Sequence, residues 1–166
     1  MERKQEKANV YKANRMLQQK VGSGPLDERA VQRSQKAIDE NDVDFTPLGM
    51  RFLDLLEAAV KQAGDESIDM KTRKQALTSP VMELKANAAI FHYSLIGNLA
   101  NIMLSFLESI EELDKDAVSI VGAHNTTLHA IVMKKMKGDG GKYGDILTGE
   151  LKDACARYYA KKKKKK

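Results

Sequence analysis

The feature that most constrains this chain is an apolar stripe through its middle. Leu84, Ala88, Phe91, Leu95, Leu99, Ile102, Phe106 and Ile110 recur at gaps of 4, 3, 4, 4, 3, 4 and 4 residues. Only a period near 3.6 keeps such a series on one side, whereas a strand would scatter it over both faces. The spacing predicts one long helix of about seven turns, opened by Ser79-Pro80. Ile96, Met103 and Leu107 widen its stripe, so the helix is expected to lie between several partners. Gly97 in its middle costs helix propensity and marks a close crossing or a kink.

Weaker helical patterns flank it. Residues 4–20 are helix-compatible but sparse in apolar positions, and Gly22-Ser23-Gly24-Pro25 breaks the chain after them. Leu26 to Glu40 restarts a helix, with Leu26, Ala30, Val31 and Ile38 as a narrow stripe. Thr46 is expected to cap the next helix, with Pro47 in its first turn. There Phe45, Leu48, Phe52, Leu55, Leu56 and Ala59 form the core-facing side. Residues 65–78 read as a loop with one short helix. Lys115 to Lys137 form another helix, lined by Ala117, Val121, His124, Leu128, Ile131 and Val132 and ended by Gly138-Asp139-Gly140-Gly141. A final helix spans about Tyr143 to Tyr159. The expected fold is all-α: an antiparallel bundle of four to five helices with an N-terminal helical extension. Residues 1–22 are the basic extension, 23–160 the bundle domain and 161–166 a lysine tail.

Charge and composition narrow the function. The net charge of +5 is uneven: residues 1–20 carry +4, residues 21–160 carry −5, and Lys161 to Lys166 carry +6. The basic residues form no stripe on a folded face and no aromatics lie among them, so they read as solvated ends and no specific nucleic-acid partner is expected. Binding of nucleic acid or an anionic membrane surface through the ends stays as an alternative. A single cysteine, Cys155, excludes a disulfide framework. No apolar run reaches the roughly 20 residues of a membrane span, and MERKQEKANVYK lacks a signal peptide's apolar stretch, so a cytoplasmic location is expected.

Enzyme motifs are absent: no G-x-S-x-G, no H-E-x-x-H and no phosphate-binding G-x-x-x-x-G-K-[ST]. The glycines at 138–141 follow a helix, not a strand, and so terminate it. His124 and His129 lie five apart, about 140° around a helix, with no carboxylate placed to complete a metal site. His124 falls in an apolar stripe, as a hydrogen-bonded core histidine does. Cys155 reads as packing. No cofactor and no metal are expected.

Residues 82–97, MELKANAAIFHYSLIG, resemble the histidine phosphotransfer domain found in alphaproteobacterial signalling proteins. In that pattern a phosphorylatable His precedes an acidic residue, an apolar residue, Lys, Gly and small residues, then Phe-x-Tyr-x-Leu and Phe-Leu-Glu. Glu83, Leu84, Lys85, Ala88, Ala89, Phe91, Tyr93, Leu95, Phe106, Leu107 and Glu108 fit it. Ala123-His124 through Gly141 is similar to the family's second long helix and its glycine ending. The acceptor position, however, is Met82, and the Gly after the lysine is Ala86. Phosphotransfer needs an imidazole nitrogen that attacks and later returns phosphate, and a thioether has none.

The resemblance therefore implies a non-catalytic adaptor of two-component phosphorelay signalling, binding a receiver domain or other signalling partner through Met82, Lys85, Ala86, Ala89 and Tyr93. The alternative is active phosphotransfer through His92, ten residues from Met82 and about 80° around the same helix. The sequence leaves a homodimer open.

Overall fold

The structure is a computed structural model and describes residues 16–22 and 24–164. The expected helix over 4–20 therefore lies largely outside the described residues. Those described are helical, with no strand among them: α1 (Met16–Val21), α2 (Glu28–Asp39), α3 (Thr46–Gln62), α4 (Met70–Ala88), α5 (Ser94–Ser109), α6 (Lys115–Met133) and α7 (Gly141–Lys163). The chain divides into two compact units, Met1–Ala37 and Ile38–Lys166. In α2 no residue is buried.

The second unit holds the bundle, α3 to α7. Contacts at the helix ends set the directions. Arg73 Nη1 donates to the Ala63 carbonyl at 2.8 Å, and Lys74 Nζ to that of Ile110 at 3.0 Å, so α4 starts where α3 and α5 end. Lys135 Nζ meets Asp44 Oδ2 at 3.1 Å, so α6 ends where α3 starts. The backbone N–H of Thr46, and with it Lys135, holds the Asp44 carboxyl down at about 2. Helices α3 to α6 alternate in direction around a common core, with each next to its predecessor and α3 also next to α6. Helix α7 packs on α5 and α6, starting beside Leu95 and placing Tyr158 edge-on to Phe106 at 5.2 Å.

The long helix expected from Leu84 to Ile110 is two helices. Helix α4 begins earlier than expected, at Met70, and includes Pro80 in its interior. Its start is marked by Asp69, whose side chain accepts the Thr72 N–H at 3.0 Å and the Thr72 hydroxyl at 2.5 Å. That N-cap satisfies a backbone donor the first turn would leave unpaired. At the other end Tyr93 N–H bonds the Ala88 carbonyl at 2.8 Å and His92 N–H bonds Ala89 at 3.2 Å. With His92 left-handed at φ 64°, these two bonds form a Schellman motif and stop the helix.

Helix α6 ends in the same way. Lys135 is left-handed at φ 49°, Met136 N–H bonds Ile131, and Lys135 N–H bonds Val132, both at 3.0 Å. The two terminations are tied together. Gly138 N–H donates to the His92 carbonyl at 2.6 Å, and Leu95 N–H to that of Gly138 at 2.9 Å. Gly144 is obligatory just beyond, because a Cβ there would lie 1.9 Å from the Asp139 oxygen. Gly97, by contrast, would place its Cβ in open space, so no close crossing explains it.

Other expectations shift for identifiable reasons. Thr46 is the first residue of α3 and not its cap: Phe45 precedes it, and Asp44 Oδ1 accepts the Thr46 N–H at 2.9 Å. Phe45 is drawn inward by the rings of Phe91 and Tyr93, at 4.9 and 5.0 Å. The buried side of α3 is Gly49, Leu53, Leu56 and Ala59, which leaves Phe52 half-buried and Leu55 54% exposed. On α5 the stripe holds at Leu95, Leu99 and Phe106, with Ile102 half-buried; Val121, Leu128 and Ile131 are buried opposite on α6. Finally, the lysine run is the last turn of α7 as far as Lys163. Lys162 pairs with Glu112 at 2.9 Å and Asp114 at 2.8 Å, and Lys161 with Asp116.

Truncation should follow this burial. Phe106→Ala is expected to cost about 3–5 kcal/mol, Phe91→Ala clearly less, and Leu55→Ala no more than about 0.5 kcal/mol. Urea unfolding of the three variants measures the order, and an equal cost at Phe106 and Leu55 would contradict the packing.

Candidate functional site

Helix α4 turns Leu77, Pro80, Val81, Leu84 and Ala88 inward. At about 100° per residue, the direction opposite that stripe falls on Ala86, with Ser79, Met82 and Ala89 beside it. Lys85 forms one flank and Glu83 the other. All six side chains are exposed, Met82 at 57%. Ala89 continues the helical backbone one residue past the last full turn (φ −64°, ψ −40°). Four of the five partner-binding candidates, Met82, Lys85, Ala86 and Ala89, therefore share one outward face.

Tyr93 does not belong to it. It is 1% exposed, its ring lies against Phe45, and burial pushes its phenol above the ordinary value. On a continuous helix it would follow Ala86 and Ala89 around the same side. The turn at His92 reverses the chain and sends it into the core.

His92 stands in that turn, not on a helix, so its expected angular offset from Met82 has no meaning. It is half-buried, and its Nε2 lies 3.2 Å from the Ile38 carbonyl, which makes that nitrogen the protonated one. Phosphotransfer needs a free ring nitrogen facing the partner.

Beside the α4 face, the seam with α3 opens into a shallow depression of about 340 Å³. Phe52, Leu55, Ala59, Ser79, Pro80 and Glu83 contribute to its lining. Ser79 and Glu83 belong to both features, so the small-residue ridge and the apolar depression are continuous. The outward Leu55 is a residue that sequence reasoning placed in the core; with Leu53, Leu55 and Leu56 all apolar, periodicity alone does not say which turns out.

The remaining candidates are structural or regrouped. His124 is fully buried, with Nδ1 bonded to the Ile120 carbonyl at 2.9 Å. Cys155 is buried, which pushes its thiol up and away from nucleophilic ionisation. No carboxylate is expected from the sequence to complete a metal site shared by His124 and His129; in the structure Asp54 and Glu57 reach His129 from α3. No spacing within α6 could reveal a carboxylate arriving from another helix.

No helix among the described residues is long and apolar enough to cross a membrane. Comparisons with protein-family models, curated proteins and solved structures return no match.

His124 generates a pH prediction. Burial lowers its imidazole below the ordinary 6.5, against the Ile120 hydrogen bond that raises it. The folded state keeps it neutral, while the unfolded chain takes up a proton near 6.5. The stability tied to this site is thus complete above 6.5 and declines as the pH falls below it. Urea unfolding at about pH 7.5 and about pH 5.5 should show wild type losing stability and His124→Gln losing less. Parallel pH dependences would refute the assignment.

Proposed function

We propose that the protein is a non-catalytic signalling adaptor of the cytoplasm, docking a receiver domain or similar partner on the outward face of α4. The observation that carries this reading is the joint exposure of Met82, Lys85, Ala86 and Ala89 on one stripe, opposite the buried side of α4. Small side chains let another backbone or helix come close. Lys85 supplies a cation at the edge of that approach, suited to the acidic or phosphorylated pocket of a receiver. The adjoining depression around Leu55 offers an apolar centre inside a polar rim, the pattern of helix-face recognition.

Chemistry at the acceptor position supports an adaptor over an enzyme. Met82 occupies the place where the resembled family carries its phosphorylated histidine, and a thioether neither takes up nor returns a phosphoryl group at neutral pH. The role left to this face is binding, through which the chain would compete with or recruit partners in a phosphorelay.

Titration calorimetry against purified receiver domains, with and without aspartyl phosphorylation, tests the reading. Binding is expected, with Lys85→Glu and Ala86→Arg each weakening it about tenfold or more and Lys115→Glu on α6 leaving it unchanged. Absence of binding to every receiver form, or acid-labile phosphate on His92, would overturn it.

A further inference from the structure

On the seam between α3 and α6, away from the docking face, three metal-ligating side chains converge. Asp54 and Glu57 stand three residues apart on α3, about 60° around the helix. His129 comes from α6, which runs antiparallel to α3. One donor atom from each lies within 4.8 Å of the other two. We propose that Asp54, Glu57 and His129 bind a divalent transition-metal ion of the zinc class, clamping α3 to α6.

The donor set fits that class. One imidazole nitrogen with two carboxylates suits zinc, cobalt or nickel better than magnesium or calcium, which take oxygen alone. A tetrahedral ion with bonds of about 2.0–2.1 Å holds its donors roughly 3.4 Å apart. Asp54 and Glu57 are exposed, so rotation of two unpacked side chains can close the remaining ångström or so. Three protein ligands leave a fourth position for water.

Two further observations point the same way. The Nε2 atom of His129 is cut off from solvent and has no hydrogen-bond partner, so this nitrogen is not committed to another contact. Two carboxylates so close together repel unless a cation joins them. Lys61 partly fills that role, pairing with Glu57 Oε1 at 2.7 Å. The lysine neutralises one of the two charges and engages one oxygen of Glu57, leaving Oε2 and the whole of Asp54 for an ion.

The 166-residue chain, stripped with a chelator, should take up one equivalent of Co²⁺, read as visible d–d absorption. Zn²⁺ should displace it and Mg²⁺ should not. His129→Gln and Asp54→Asn should each weaken Co²⁺ binding about tenfold or more, and His92→Gln should leave it unchanged. Lys61→Ala should tighten it by freeing Glu57. Asp54 is exposed, so its variant isolates ligation from folding, which circular dichroism checks. Absence of stoichiometric Co²⁺ uptake, or uptake equally tight in both His129→Gln and Asp54→Asn, would overturn the proposal.

Discussion

The bundle depends on two helix endings that use the same device. At His92 and Lys135 a non-glycine residue takes the left-handed conformation, which costs an L-residue roughly 1–2 kcal/mol. Each ending satisfies two terminal carbonyls and tucks an apolar residue, Tyr93 or Met136, against the core. Because Gly138 then bonds the His92 carbonyl and accepts from Leu95, the two endings lock together. The α3 start, the α4–α5 turn and the α6–α7 loop thereby meet at one end of the bundle.

That lock decides which side of α4 faces outward. Stopping the helix at Ala88 puts Phe91 and Tyr93 on Phe45, and the aromatic cluster fixes the rotation of α4 about its axis. Met82, Lys85, Ala86 and Ala89 face solvent as a consequence. The antiparallel pairing of α3 with α6, anchored by Asp44 and Lys135 at the same end, likewise sets the register that brings His129 to Asp54 and Glu57. Both proposed sites are products of helix placement, not of local motifs.

This explains what was legible in the sequence. The helical class, the apolar stripe of α5 and the buried side of α6 follow from a period that depends only on burial. The break at residues 89–93 does not, because both α4 and α5 face one core and a turn of five residues keeps their stripes in phase. A left-handed His carries no glycine signal to announce it. The cap at Asp69 was visible in principle as Asp-x-x-Thr, but an interior Pro80 masked it as a helix start. On the site, Met82, Lys85, Ala86 and Ala89 share the exposed side of α4, while Leu84 and Ala88 between them are buried. Tyr93 was misplaced because its position was inferred along a helix that stops before it. The Asp54–Glu57–His129 group joins residues more than seventy positions apart and has no local signature.

The most direct test of this account is the difference in stability between His92→Gly and His92→Ala. Both remove the imidazole, so the comparison isolates the backbone. In a left-handed turn Gly should be the more stable by about 1 kcal/mol, since only Ala carries a Cβ there. Were the chain one continuous helix from Leu84 to Ile110, Ala would be the more stable by about 0.5–1 kcal/mol, and that reversed order would contradict the structure on which both sites rest.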